Sequence, residues 1–89
     1  MARIRVTPEQ VREVAKQFKT AGQQSDGIVR DLERATTSLQ SEWEGMTQQK
    51  FYSEYDQWRK QMNHFTQLLT DIARQLDEIA IRFERADQV

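Results

Sequence analysis

His64 is the chain's single histidine, and cysteine is absent. A structural zinc site needs four nitrogen, sulfur or oxygen donors, and a carboxylate-bridged metal pair needs Glu-x-x-His repeats. Neither pattern occurs, and His64 falls between apolar positions of a helical repeat, where it reads as a surface or flanking residue. No glycine-rich phosphate loop or nucleophile elbow is present. The carboxylates recur on polar helix faces, as solvated charges do. The sequence therefore predicts a non-enzyme with no metal, no cofactor and no small-molecule substrate. The side chains left for specific recognition are the large aromatics Trp43, Phe51, Tyr55, Trp58, Phe65 and Phe83. All but Trp43 fall at heptad spacing, which marks them as packing residues rather than a cofactor box.

The elements that must position them are two long helices. Thr7-Pro8-Glu9-Gln10 is a helix start: Thr7 as N-cap, Pro8 at the first helical position and Gln10 completing a capping box. Val6 and Val11 stand where a hydrophobic staple would place them, after a short extended arm over residues 1–6. Val11, Phe18, Ser25, Leu32 and Leu39 form one heptad row, and Val14, Ala21, Ile28 and Ala35 a second. Ala15, Gly22, Val29 and Thr36 flank the second row. The repeat keeps its phase across Gly22 and Gly27, so one continuous helix is expected over about 7–40. Gly22 and Ser25, with Ala21, form a shallow groove that another helix could enter, and the sequence assigns this groove to a second protomer.

Trp43-Glu44-Gly45 is the turn at 43–45, glycine freeing the backbone and tryptophan anchoring it. The second helix is expected over about 47–86, capped by Gly45 or Thr47. Phe51, Trp58, Phe65, Ile72, Ile79 and Ala86 make one of its rows, and Tyr55, Met62, Leu69, Leu76 and Phe83 the other. Spacing that alternates three and four residues is the seam of a helix bundle. At about 1.5 Å per residue, such helices reach roughly 50 to 60 Å. The fold class is all-α: an antiparallel hairpin, one domain spanning 1–89.

Two antiparallel helices bury one seam, and each helix here carries more apolar width than one seam consumes. Tyr52, Leu68, Ala73 and Ala80 widen the second stripe further. A surplus of that size is normally hidden in an interface. A second hairpin closes it most simply, giving an elongated four-helix bundle. Phe18, Gly22, Ser25, Ile28, Leu32, Phe51, Tyr55, Trp58, Met62, Phe65, Leu69, Ile72, Leu76 and Ile79 are the expected core and interface.

The formal net charge is −1, with both signs interspersed. That excludes the segregated positive charge of a nucleic-acid binder. Arg3 with Arg5, and Arg59 with Lys60, read as solvated spots. No stretch is apolar enough to span a membrane, and Met1 precedes no hydrophobic signal core. Export of such a chain needs a route that reads something other than an N-terminal signal peptide.

A chain of this length, folded as a hairpin about a central Trp-x-Gly turn, resembles the WXG family of Esx-type proteins, small substrates of type VII secretion. The resemblance covers the whole chain and rests on Trp43 and Gly45 between two capped heptad helices. It implies a protein made in the cytoplasm and secreted as a folded homodimer, or with a paralogous Esx-type partner. It also implies a membrane-bound secretion ATPase of the FtsK/SpoIIIE type. The family's C-terminal Tyr-x-x-x-Asp/Glu signal matches Phe83 through Asp87, with phenylalanine in place of tyrosine. In the implied antiparallel dimer, Trp43 of one protomer lies near the Phe83/Asp87 end of the other. A cytoplasmic structural or adaptor coiled coil is the alternative, in which Trp43 merely closes the bundle.

Overall fold

A computed structural model describes residues 6–43 and 45–87. The expected arm lies outside the described residues apart from Val6, as do the Arg3/Arg5 pair and Glu44 of the turn.

Helix α1 runs Pro8–Gln40 and helix α2 runs Met46–Asp87. The start of α1 follows its sequence. The Gln10 N–H donates to Thr7 Oγ1 at 3.1 Å, and the Thr7 N–H donates to Gln10 Oε1 at 2.8 Å. Two of the first-turn donors that a helix leaves unpaired are thereby satisfied. The helix passes through Gly22 and Gly27 without a break. It ends at Ser41, whose hydroxyl donates to the Ser38 carbonyl at 2.8 Å. Gly45 carries the reversal at φ 110°, a region that disfavours side chains, and its carbonyl accepts from the Gln49 N–H at 3.3 Å.

The helices lie antiparallel in a rod of 67 × 22 × 16 Å. Their seam differs from the one expected. The most buried residues are Val11, Ala15, Gly22 and Val29 of α1, and Ala73 and Ala80 of α2. Three of the four on α1 come from the row that flanks the main stripe. Small side chains explain the choice, because they allow two backbones to come close, whereas Phe, Trp and Ile would hold them apart. Ala80 is fully buried at 0% exposure, while Phe65 is 55% exposed.

The Gly22 side of the groove at Gly22 and Ser25 is filled from within the chain, by α2. A Cβ added to Gly22 would stand 3.3 Å from Thr70 Oγ1 and 3.7 Å from Leu69 Cβ. Ser25 Oγ and Thr66 Oγ1 share a hydrogen bond of 2.6 Å. Nearer the turn, the Tyr52 hydroxyl donates to the Thr36 carbonyl. Ion pairs bridge the helices at both ends: Arg12 with Glu84, and Arg59 with Glu33 at 3.1 Å. These pairs are half-exposed and contribute little energy individually.

Candidate assembly face and turn

With the small row inside, the large apolar rows point away from the hairpin on one side. Ile28 is 59% exposed and Trp58 47%, and Val14, Leu32, Ile72 and Ile79 are also exposed. They form a continuous apolar strip along both helices. Midway along it, an open groove of about 590 Å³ runs between the helices. Ala21, Ser25 and Ile28 form one wall, and Trp58, Met62 and Phe65 the other. At roughly 25 cal/mol per Å², covering such a strip is strongly favourable, and leaving it in water is not.

Of the residues expected in the interface, Ile28, Leu32, Trp58, Phe65, Ile72 and Ile79 are exposed on this strip. Phe18, Ser25, Phe51, Tyr55, Met62, Leu69 and Leu76 are half-buried along its inner edge. Gly22 is buried in the seam behind it.

The turn carries its own aromatic cluster. The Trp43 ring lies 5.4 Å from Phe51 and 6.4 Å from Tyr52. Phe51 meets Tyr52 edge-on at 5.1 Å and stacks on Tyr55 at 6.0 Å. Trp43 therefore folds back onto the first turns of α2 and holds the reversal that Gly45 permits. Such ring pairs add about 0.5–1.5 kcal/mol each beyond the area they bury.

This arrangement, a tryptophan clamped on α2 two residues before a positive-φ glycine, coincides with a match to the family model WXG100, proteins of 100 residues with WXG, over residues 3–88. The chain belongs to the WXG100 family. Protein YukE of Bacillus subtilis is 38% identical over 85 residues, which is 96% of this chain and 88% of that protein. The type VII secretion system extracellular protein A of Staphylococcus aureus is 31% identical, covering 99% of this chain and 91% of the relative. Among solved structures, the secreted protein EsxB of Bacillus anthracis superposes with a TM-score of 0.85 at 34% identity, covering 98% of this chain and 99% of that one. The all-α hairpin is thus the WXG100 fold, and Trp43-Glu44-Gly45 is the one Trp-x-Gly sequence in the chain.

At the other end of this WXG100 hairpin, Phe83 is half-buried and α2 closes at Asp87. The Asp87 side chain, with Gln88 and Val89, lies outside the described residues. His64 is exposed, and the described residues hold no group of three or more His, Cys, Asp or Glu placed to share a metal. No helix among them is long and apolar enough to cross a membrane.

Sequence reasoning missed the hydroxyl seam of Ser25, Thr66 and Thr70, and Arg59 as a tie between helices. Arg59 reaches Asp56 at 2.7 Å as well as Glu33. The Asp56–Arg59 spacing of three residues was readable as a helix pair. The reach to Glu33 needed the hairpin register. The Tyr55 hydroxyl is buried without a partner among the described residues.

Proposed function

We propose that this WXG100 protein is a type VII secretion substrate, exported as a folded homodimer and acting through protein contacts rather than catalysis. The observation that carries the reading is the exposed apolar strip on both helices of a chain from this family. A second copy brings an identical strip and needs no other gene product, and the result is a four-helix bundle with the large rows inside. In an antiparallel pair, Trp43 of one protomer and the partner's Phe83 and Asp87 share one end of the rod. That composite surface exists only after assembly. A membrane-bound ATPase of the FtsK/SpoIIIE type that reads it would select the dimer over a loose chain. The relative named an extracellular protein supports the destination.

Two measurements test the reading. Sedimentation equilibrium at micromolar concentration should give twice the chain mass of 10.6 kDa. Immunodetection should find the protein in the medium of intact cells, and only in cells that carry the secretion ATPase. A dimer retained inside ATPase-positive cells would point instead to the cytoplasmic adaptor.

A further inference from the structure

Glu54, Gln61, Leu68, Gln75 and Arg82 form the outer rim of the apolar strip, one step around α2 from the row of Phe65 and Ile72. Read from either end the row is symmetric in type, apolar at the centre with glutamines on each side, except that its two ends carry opposite charge. Glu54 and Arg82 are equidistant from Leu68, roughly 20 Å to either side. Both are exposed, and among the described residues neither forms an ion pair within the chain. Leu68 is 44% exposed. The neighbouring row has almost the same centre: Phe65 and Ile72 flank it, then Trp58 and Ile79, with aromatics on one side and aliphatics on the other.

On α1 the corresponding rim is Gln10, Gln17, Gln24, Asp31 and Ser38, centred on Gln24. The hairpin register sets Gln24 level with Leu68, because Ser25 bonds Thr66 and Gly22 lies against Leu69 and Thr70. Both rims therefore share one midpoint.

We propose that a second copy of this chain docks about a two-fold axis at Leu68, with Glu54 of each protomer paired to the partner's Arg82. This rests on the homodimer reading and supplies its register. An antiparallel two-fold lays each helix across its own copy, so each row meets itself reversed. Leu68 meets the partner's Leu68, Gln61 the partner's Gln75, and Trp58 the partner's Ile79. Aromatic bulk then faces aliphatic bulk along the bundle. A parallel pair would instead lay α2 on the partner's α1. Glu54 would fall beside the partner's Ser38 and Arg82 beside the partner's Gln10, with no opposite charge at either place. Two charge pairs at the ends of a reversed row favour self over a paralogue that lacks the same charge order.

Glu54→Arg and Arg82→Glu test the register. Alone, each variant sets like charges together at both ends, and its dimer dissociation constant should rise about tenfold. Mixed in equal amounts, the two should form predominantly the mixed dimer, visible by native mass spectrometry, because opposite charges return at both ends. Random mixing beside a wild-type dimer would overturn the register and leave the homodimer standing. A monomeric wild type would overturn the homodimer itself. The chain has no cysteine, so Leu68→Cys supplies a single thiol. A short bismaleimide should link it to its own copy. Ile81→Cys, placed where the native isoleucine is 43% exposed on the far side of α2, should not be linked. The reverse pattern would also overturn the proposal.

Discussion

Gly22, Gly27 and Gly45 show how far one residue type can differ in its surroundings. At Gly27 an added Cβ would meet nothing within 4 Å. Glycine in a helix interior costs about 1 kcal/mol relative to alanine, so Gly27→Ala should stabilise the fold by up to about that amount in chemical denaturation. Gly45 also has open space around its Cβ position, yet its φ of 110° makes any side chain strained. Gly45→Ala should cost about 1–3 kcal/mol in the same assay. Gly22 is limited by its neighbours instead, with Thr70 Oγ1 at 3.3 Å. Gly22→Leu should destabilise the hairpin itself by about 1–3 kcal/mol through overpacking. A gain in stability there would mean that the two helices can separate at no cost, contrary to the seam described.

At the scale of the helices, what was legible in the sequence was whatever is encoded locally. The Thr7 cap with Gln10, the unbroken phase through Gly22 and Gly27, and the reversal at Gly45 each depend on a few adjacent residues, and each is where it was expected. Which row of α1 would meet α2 was not legible from periodicity. A heptad pattern marks an apolar stripe wider than one seam, and it does not say how two neighbours divide that stripe. Residue volume carried the missing signal. Ala15, Gly22 and Val29 repeat at the same interval as Ala73 and Ala80, and a row that is small on both helices is the one that lets them approach. The division gives α1 and α2 separate inner and outer surfaces, which mutation can distinguish. Ile72→Asp puts a charge on the outer surface and should abolish dimerisation, at a cost of several kcal/mol, with the helical signal in circular dichroism falling alongside it. Unchanged dimer mass for Ile72→Asp would show that the outer strip is not the interface. Of the candidate site, the turn and the apolar face were readable this way. The Arg59–Glu33 tie was not, because it depends on the register of two distant segments.

For the whole molecule, the 67 Å rod keeps Trp43 and Asp87 at opposite ends of one protomer, so only a second, reversed protomer can bring them together. Asp87→Ala should leave folding and dimer mass unchanged, since Asp87 follows the last large apolar residue of the α2 rows in the sequence, and substitutions outside a core usually shift stability by less than about 0.5 kcal/mol. It should still reduce the protein in the medium and raise it in the cell. Trp43→Ala should do the same, with some loss of stability at the turn. A mixed dimer with one change in each subunit retains one intact composite end, and it should be exported better than either mutant homodimer. Equal export of Asp87→Ala and wild type would remove the signal role from this end of the chain.

The thin seam has a consequence for dilution. Among the described residues, five apolar residues, three of them alanines, make up the buried interior of the hairpin, so in the proposed homodimer most of the hydrophobic stabilisation comes from the second copy. On that reading folding and assembly belong to one equilibrium between two free chains and one bundle. Each tenfold dilution weakens such an equilibrium by about 1.4 kcal/mol, and the melting temperature should fall measurably between about 100 and about 1 μM protein. A melting temperature independent of concentration would place the stability back in the single hairpin. On the homodimer reading the bundle is firm where the chain is abundant and progressively looser as it is diluted.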